Sequence, residues 1–107
     1  MIMANIKLSP QAVSDLHDIK AYITDELCNP IAADRTIKKI INDYSLLEIS
    51  PMMGPSLSSV IHMKTDYRYL VSGKYIIIYK VDSEYVSIYR ILYGARDYLK
   101  ILFGNEL

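Results

Sequence analysis

Apolar residues return along the first half of the chain with a helical period. Ala12, Leu16, Ile19, Ile23 and Leu27 fall four and three apart, Val13 widens the stripe, and Asp15, Asp18 and Asp25 turn away from it. That spacing predicts an amphipathic helix. Ser9-Pro10 marks its start: the serine can accept a hydrogen bond from free N–H groups, and proline is pre-shaped for the first helical position. Asn29-Pro30 repeats the signal, and a second stripe runs through Ala33, Ile37, Ile40, Tyr44 and Leu47, reinforced by Ile41. Two helices of roughly 15 to 20 residues joined this tightly predict an antiparallel hairpin. Ser50-Pro51 ends the second helix, and Gly54-Pro55 keeps the chain irregular after it.

The period then changes to two. Tyr67–Val71, Tyr75–Val81 and Tyr85–Tyr93 are rich in Tyr, Ile and Val and are separated by the turns "SGK" and "DSE". Joins this short predict an antiparallel meander, with one face on the helices and the other free. A short strand over Ile2–Leu8 and a last helix over about Ala95–Phe103, beyond Gly94, complete the expectation. The predicted fold class is α+β: an N-terminal strand, an antiparallel helical hairpin packed on an antiparallel sheet of about four strands, and a short C-terminal helix.

A chain of 107 residues is one domain by size, 1–107, and 51% apolar with 22% charged residues is an ordinary globular composition. The formal net charge is +0, so the molecule as a whole is no electrostatic trap for nucleic acid. Through Ile61 there are five basic residues against seven acidic, and from His62 onward seven basic against five acidic. The strand-rich half is therefore mildly basic. A lone Cys28 with His17 and His62 predicts neither a disulfide nor a metal site, and no cofactor. The N-terminus lacks a secretory h-region and no stretch is long and apolar enough to span a bilayer, so the expectation is a soluble cytoplasmic protein with no membrane partner.

Candidate chemistry is sparse. Seven of the ten tyrosines lie in the predicted strands, and period two puts Tyr85, Tyr89 and Tyr93 on one face of the last. Such a face is either an interface surface or the ordinary preference of tyrosine for half-buried strands. Arg68, Lys74, Arg90 and Arg96, brought to one end of the sheet, would suit phosphate or carboxylate groups; dispersed, they are solvated turn charges. His17 and His62 are the general-base candidates by residue type, but a surface or packing role is the favoured reading for both. No Gly-rich phosphate loop, nucleophile elbow or metal-ligand spacing occurs. The residues alone stop at a small α+β interaction domain with a modestly basic, tyrosine-rich sheet.

Taken in order, "LSPQAVSDLHDIKAYI", "NPIAADRTIKKI", "PMMG", "YRYLVSGKYIIIYKV" and "IYRILYGARDY" resemble the RelE/ParE superfamily, the toxins of bacterial type II toxin–antitoxin pairs, often labelled plasmid stabilisation proteins. The resemblance runs from Leu8 to about Tyr98. It implies one of two activities. RelE-like members are metal-independent ribonucleases that cut messenger RNA on the ribosome; ParE-like members poison DNA gyrase by binding it. RelE-like nucleases carry an arginine three residues before the tyrosine of the central strand; with Tyr79 as that tyrosine, the matching position is Ile76, which cannot hold a phosphate. The "LHG" of many relatives is "LYG" here, so Tyr93 replaces a histidine, and a phenol near pKa 10 is a poor base at neutral pH. Arg96 matches a nuclease position, and the lysine-rich approach of some nucleases is reduced to Lys64.

The long hairpin and "PMMG" favour the ParE-like branch. The resemblance then implies growth inhibition by binding an essential target such as DNA gyrase, through Arg90, Arg96, Tyr98 and Lys74. A RelE-like ribosome-dependent mRNA endoribonuclease would instead use Arg96 with Tyr93, Arg68, Lys74 or His62. A third reading is a non-toxic co-repressor that only binds its antitoxin. All three imply an antitoxin protein as partner, with Ile37, Ile41, Tyr44, Leu102 and Phe103 as expected contacts, and DNA reached only through that antitoxin.

Overall fold

The computed structural model describes residues 5–61 and 64–94 of the chain. Strand β1 (Asn5–Leu8) leads into helix α1 (Pro10–Ala21), and helix α2 (Pro30–Ser45) returns beside it. A four-residue helix α3 (Ser58–Ile61) precedes strands β2 (Tyr67–Ser72), β3 (Tyr75–Val81) and β4 (Tyr85–Tyr93). Both helix starts form as their sequences dictate. The Ser9 hydroxyl accepts from the Ala12 N–H at 3.0 Å and the Asn29 side chain from the Ala32 N–H at 3.1 Å, each followed by proline at the first position. Each cap satisfies one of the free N–H groups of its helix.

The first helix does not run evenly to Leu27. After Ala21 it widens into a π-helical turn over Tyr22–Glu26, and Cys28 closes it with a positive φ of 51°. The Asn29 N–H then reaches back to the Ile23 carbonyl at 3.1 Å, which satisfies one of the orphaned carbonyls. The wider turn leaves Tyr22 and Leu27 exposed at the tip of the hairpin.

The sheet has the order β1-β4-β3-β2. β2, β3 and β4 form the expected meander, but β1 pairs parallel with β4, Ile6 opposite Val86 and Leu8 opposite Ile88, so the sheet is mixed rather than antiparallel. The intervening helices carry the chain back to allow this parallel pairing. One side of the sheet holds Ile77, Tyr79, Val86, Ile88 and Ile91 against Ala12, Ile40, Tyr44 and Leu47. The other side is not free, as a half-covered sheet would have it: Ile76, Ile78 and Leu92 are buried there with Leu57, and Tyr67, Tyr69 and Tyr89 pack against them. Burial on both faces explains the unbroken apolar run of β3.

A β-bulge breaks the alternation in β4. Tyr79 pairs with Ile88 but Ile78 pairs with Arg90, so β4 carries one extra residue. Before the bulge Val86 and Ile88 face the helices; after it Ile91 does. The three tyrosines of β4 therefore do not share a face. Tyr89 stacks on Tyr67 with ring centroids 5.2 Å apart on the side away from the helices, while Tyr93 meets Tyr75 edge-on at 5.6 Å on the other. The expected helix over Ala95–Phe103 lies outside the described residues.

Candidate functional site

Past the bulge, the end of β4 and the β2–β3 turn project toward the tip of the helical hairpin. Gly73, with φ 59°, lets two residues reverse the chain between Ser72 and Tyr75. Gly94, with φ 72°, turns the chain off the end of β4 while its N–H donates to the Lys74 carbonyl at 2.9 Å. The glycines thus fix Lys74, Tyr75 and Tyr93 at one rim. The hairpin tip supplies Tyr22 and Leu27 at the other.

Between the two rims lies an open groove of about 730 Å³. Ile19, Ile23 and Ile40 line its base, and Tyr22, Tyr75 and Tyr93 its mouth. Burial, then the neighbouring phenols of Tyr93 and Tyr22, raise the pKa of Tyr75 above the ordinary tyrosine value, so it stays neutral at physiological pH. The charged residues along the groove are Lys39, Lys74 and Asp18. Lys39 is engaged by Asp43 at 2.9 Å, whereas Lys74 makes no ion pair among the described residues.

Arg90 and Arg68 serve elsewhere. Arg90 holds Asp15 of α1 through two hydrogen bonds, Nε to Oδ2 at 2.8 Å and Nη2 to Oδ1 at 2.9 Å. Their side chains are only 20% and 11% exposed, and the hydrogen bond to Asp15 holds the guanidinium even more firmly protonated than usual. Arg68 turns to the loop before α3, where its Nη1 donates to the carbonyl of Gly54 at 2.6 Å and lies 3.5 Å from that of Met52. The Gly54 N–H donates in turn to the buried Tyr79 hydroxyl at 2.9 Å. Arg68 sits opposite Tyr79, and Lys74 lies in the turn at the far end of the same strand pair.

Among the described residues no three His, Cys, Asp or Glu side chains come together as a metal site would need, and no helix is long and apolar enough to cross a membrane. The sequence over residues 6–98 matches the family described as the ParE toxin of the type II toxin–antitoxin system, parDE. The chain belongs to the ParE toxin family. Solved structures share its fold. The chromosomal ParDE system from P. aeruginosa has a TM-score of 0.74 at 18% identity, covering 89% of this chain and 100% of that one. The E. coli DinJ-YafQ toxin–antitoxin complex has 0.57 at 20%, covering 92% and 98%. The RelBE2 toxin–antitoxin complex from Mycobacterium tuberculosis has 0.52 at 16%, covering 86% and 99%. No curated protein matches the sequence.

In this ParE-family chain the expected residues part company. Lys74 and Tyr93 come together at the groove. Arg68 and Arg90 do not join them, so of the two alternatives left open by the sequence these two arginines do not show convergence at one end of the sheet: each is drawn to a nearer acceptor, carbonyl or carboxylate. Tyr44, an expected partner contact, is 8% exposed and packs in the main core, so its ring faces the sheet instead. Ile41 is exposed and Ile37 half-buried, both on the outer flank of α2. Arg96, Tyr98, His62, Leu102 and Phe103 lie outside the described residues.

Three participants escaped the sequence reading. Asp15 sits on the polar side of the α1 stripe and gives no sign of its partner 75 residues on. Tyr22 lines the groove because of the π-helical turn, and Tyr75 because of the turn glycine; period counting sees neither. Gly54 was legible only as a chain-breaker.

Proposed function

We propose that this ParE-family toxin arrests growth in the cytoplasm by binding an essential target, DNA gyrase first, and that a cognate antitoxin neutralises it. The observation that carries this reading is the engagement of both described sheet arginines: Arg90 is spent on Asp15 and Arg68 on two backbone carbonyls. Cleavage of RNA through its 2′-hydroxyl needs free cationic donors around a phosphate that gains charge in the transition state. Ile76, where RelE-like nucleases hold an arginine, is 7% exposed and apolar. Target binding is assigned to Lys74 with Arg96 and Tyr98; Arg90 acts on it only by fixing α1 against β4.

The partner follows from the kind of protein these folds accompany: two of the similar structures are toxin–antitoxin complexes. Ile37 and Ile41, with Leu102 and Phe103 of the C-terminal residues, are assigned to antitoxin contact. DNA is reached only through the antitoxin.

A metal-independent ribosome-dependent ribonuclease is the second reading, favoured by one observation: Lys74 and Tyr93 line the same groove. Arg96 and His62 would have to complete that site. Purified chain added to gyrase and supercoiled plasmid tests the first reading. Stalled DNA breaks that depend on the chain are expected; unchanged supercoiling, together with message cleavage in a ribosome-containing extract, supports the second.

A further inference from the structure

The chain leaves β4 at the edge of the groove. Tyr93 lines it, and the next residue, Gly94, turns away with φ 72° while donating to the Lys74 carbonyl on the same rim. Residues 95–107 therefore start where the groove opens. Across from them stands the hairpin tip. Tyr22 and Leu27 there are 56% and 57% exposed, and Tyr93 is 56% exposed, although Ile23 and Leu92 beside them are buried. Large side chains held out on both sides of an aliphatic base form a surface that gains from being covered.

The sequence of residues 95–107 carries what such a groove takes. At helical spacing Ala95, Leu99, Leu102 and Phe103 share one face, Arg96 and Tyr98 border it on either side, and Asp97 and Lys100 fall opposite. Leu99 is five residues past Gly94, a span of at most about 17 Å even when extended, so the apolar face stays within reach of the groove. Charge favours the same occupant. Lys39 is engaged by Asp43, which leaves one cation, Lys74, and one anion, Asp18, without an ion pair along the groove among the described residues. A groove balanced in this way favours neither an acidic nor a basic partner. It accepts a neutral segment bearing both signs, and in residues 95–107 Arg96 and Lys100 stand against Asp97 and Glu106. The covalent link also gives this segment a high local concentration at the groove.

We propose that residues 95–107 dock back into this groove as a short amphipathic helix, with Leu99, Leu102 and Phe103 between Tyr22, Tyr75 and Tyr93. Docking puts Arg96 and Tyr98 on the rim that carries Lys74, so the three residues assigned to target binding form one surface only when the segment is seated. That consequence rests on the target-binding reading above; the docking itself does not. Leu102 and Phe103 are covered in this state, so the antitoxin contact assigned to them is made on a chain whose groove is open.

The test uses the full chain. Cys28, its one cysteine, is exposed and directly follows Leu27 of the groove, which gives a place for a nitroxide label with no other change. In the free, isotope-labelled chain the nitroxide is expected to broaden the amide signals of Leu99–Phe103, and its reduction to restore them. Nitroxide-bearing chain mixed with isotope-labelled chain that carries no nitroxide is expected to leave those signals sharp. A Leu99→Asp, Phe103→Asp chain is expected to lose the broadening with its β2–β4 signals unmoved, and to inhibit growth roughly tenfold less. Signals of residues 99–103 that stay sharp in the nitroxide-bearing chain, or that broaden only in the mixture, would overturn the docking. Broadening in wild type with undiminished growth inhibition by the double variant would overturn the role given to the seated segment. A wild-type chain that seats the segment yet leaves gyrase and growth untouched removes the target reading and leaves the docking in place.

Discussion

Arg90 and Asp15 lie side by side in a two-point hydrogen-bonded ion pair, and the same carboxylate also accepts the backbone N–H of Ile91 at 2.9 Å. Asp15 takes up the edge of β4 just where β1 stops, since the last contact of that kind is the Ser9 N–H to the Ile88 carbonyl at 2.9 Å. One side chain of α1 thus replaces a missing strand residue and fixes the helix to the bulged part of the sheet. Removing either partner leaves a poorly solvated charge and, for Asp15, an open N–H. Asp15→Ala and Arg90→Ala are each expected to lower unfolding stability by about 3 kcal/mol, measured by urea denaturation. Growth inhibition per folded molecule stays unchanged. An Arg90→Ala chain as stable as wild type but harmless would show instead that the guanidinium meets the target.

Gly54 is required for space. A Cβ there would sit 2.6 Å from the Tyr79 hydroxyl and would also strike the Tyr69 carbonyl, both held in place by the sheet. Gly54→Ala is expected to cost about 2 kcal/mol or more. Tyr79→Phe leaves the Gly54 N–H without its acceptor and is expected to cost about 1–2 kcal/mol. Thermal melts of the two variants check both figures.

Asp43 links α2 to β2 through the buried Ser72 hydroxyl at 2.6 Å and to Lys39 at 2.9 Å. Burial alone would raise its pKa, but the hydrogen bonds from Ser72 and Lys39, with the lysine charge, bring it below the ordinary 3.8. A depressed folded-state pKa means stability that is present above the unfolded value and lost as the pH falls through the folded one. Asp43→Asn is therefore expected to destabilise the chain clearly at neutral pH and less at about pH 3, below the ordinary 3.8. Urea midpoints of the variant and wild type at the two pH values measure the difference; an equal gap at both would place the effect outside the carboxylate charge.

Cys28 holds a left-handed conformation, φ 51°, at the position where a helix commonly ends in glycine. Cys28→Gly is expected to raise stability by up to about 1 kcal/mol, seen as a higher melting temperature. The cysteine is exposed and makes one weak contact, its thiol 3.6 Å from the Asp25 carbonyl, so little is lost.

The fold was legible wherever a local rule operates. Ser9-Pro10 and Asn29-Pro30 start helices because capping is decided within four residues, and the stripe from Ala12 to Ile23 names the buried face because helical phase is local. What failed was what depends on distant pairing. The parallel place of β1 is set by β4, some 80 residues on, and a single extra residue in β4 moved Tyr93 to the opposite face from Tyr89. The charges failed for the same reason: Arg68 and Arg90 look free in sequence, and only the fold supplies the Gly54 carbonyl and Asp15. Of the candidate site, Lys74 and Tyr93 were visible as residues, while the groove that unites them was not.

The central claim is that this chain binds its target and does not cut RNA. Induced expression in a bacterial host, with DNA and total RNA integrity read from one culture at the moment growth stops, tests it most directly. The account predicts broken DNA and intact messages, with the DNA breaks and the growth arrest both abolished by co-expressed antitoxin. Cleaved messages beside intact DNA would contradict it and transfer the chemistry to the groove holding Lys74 and Tyr93.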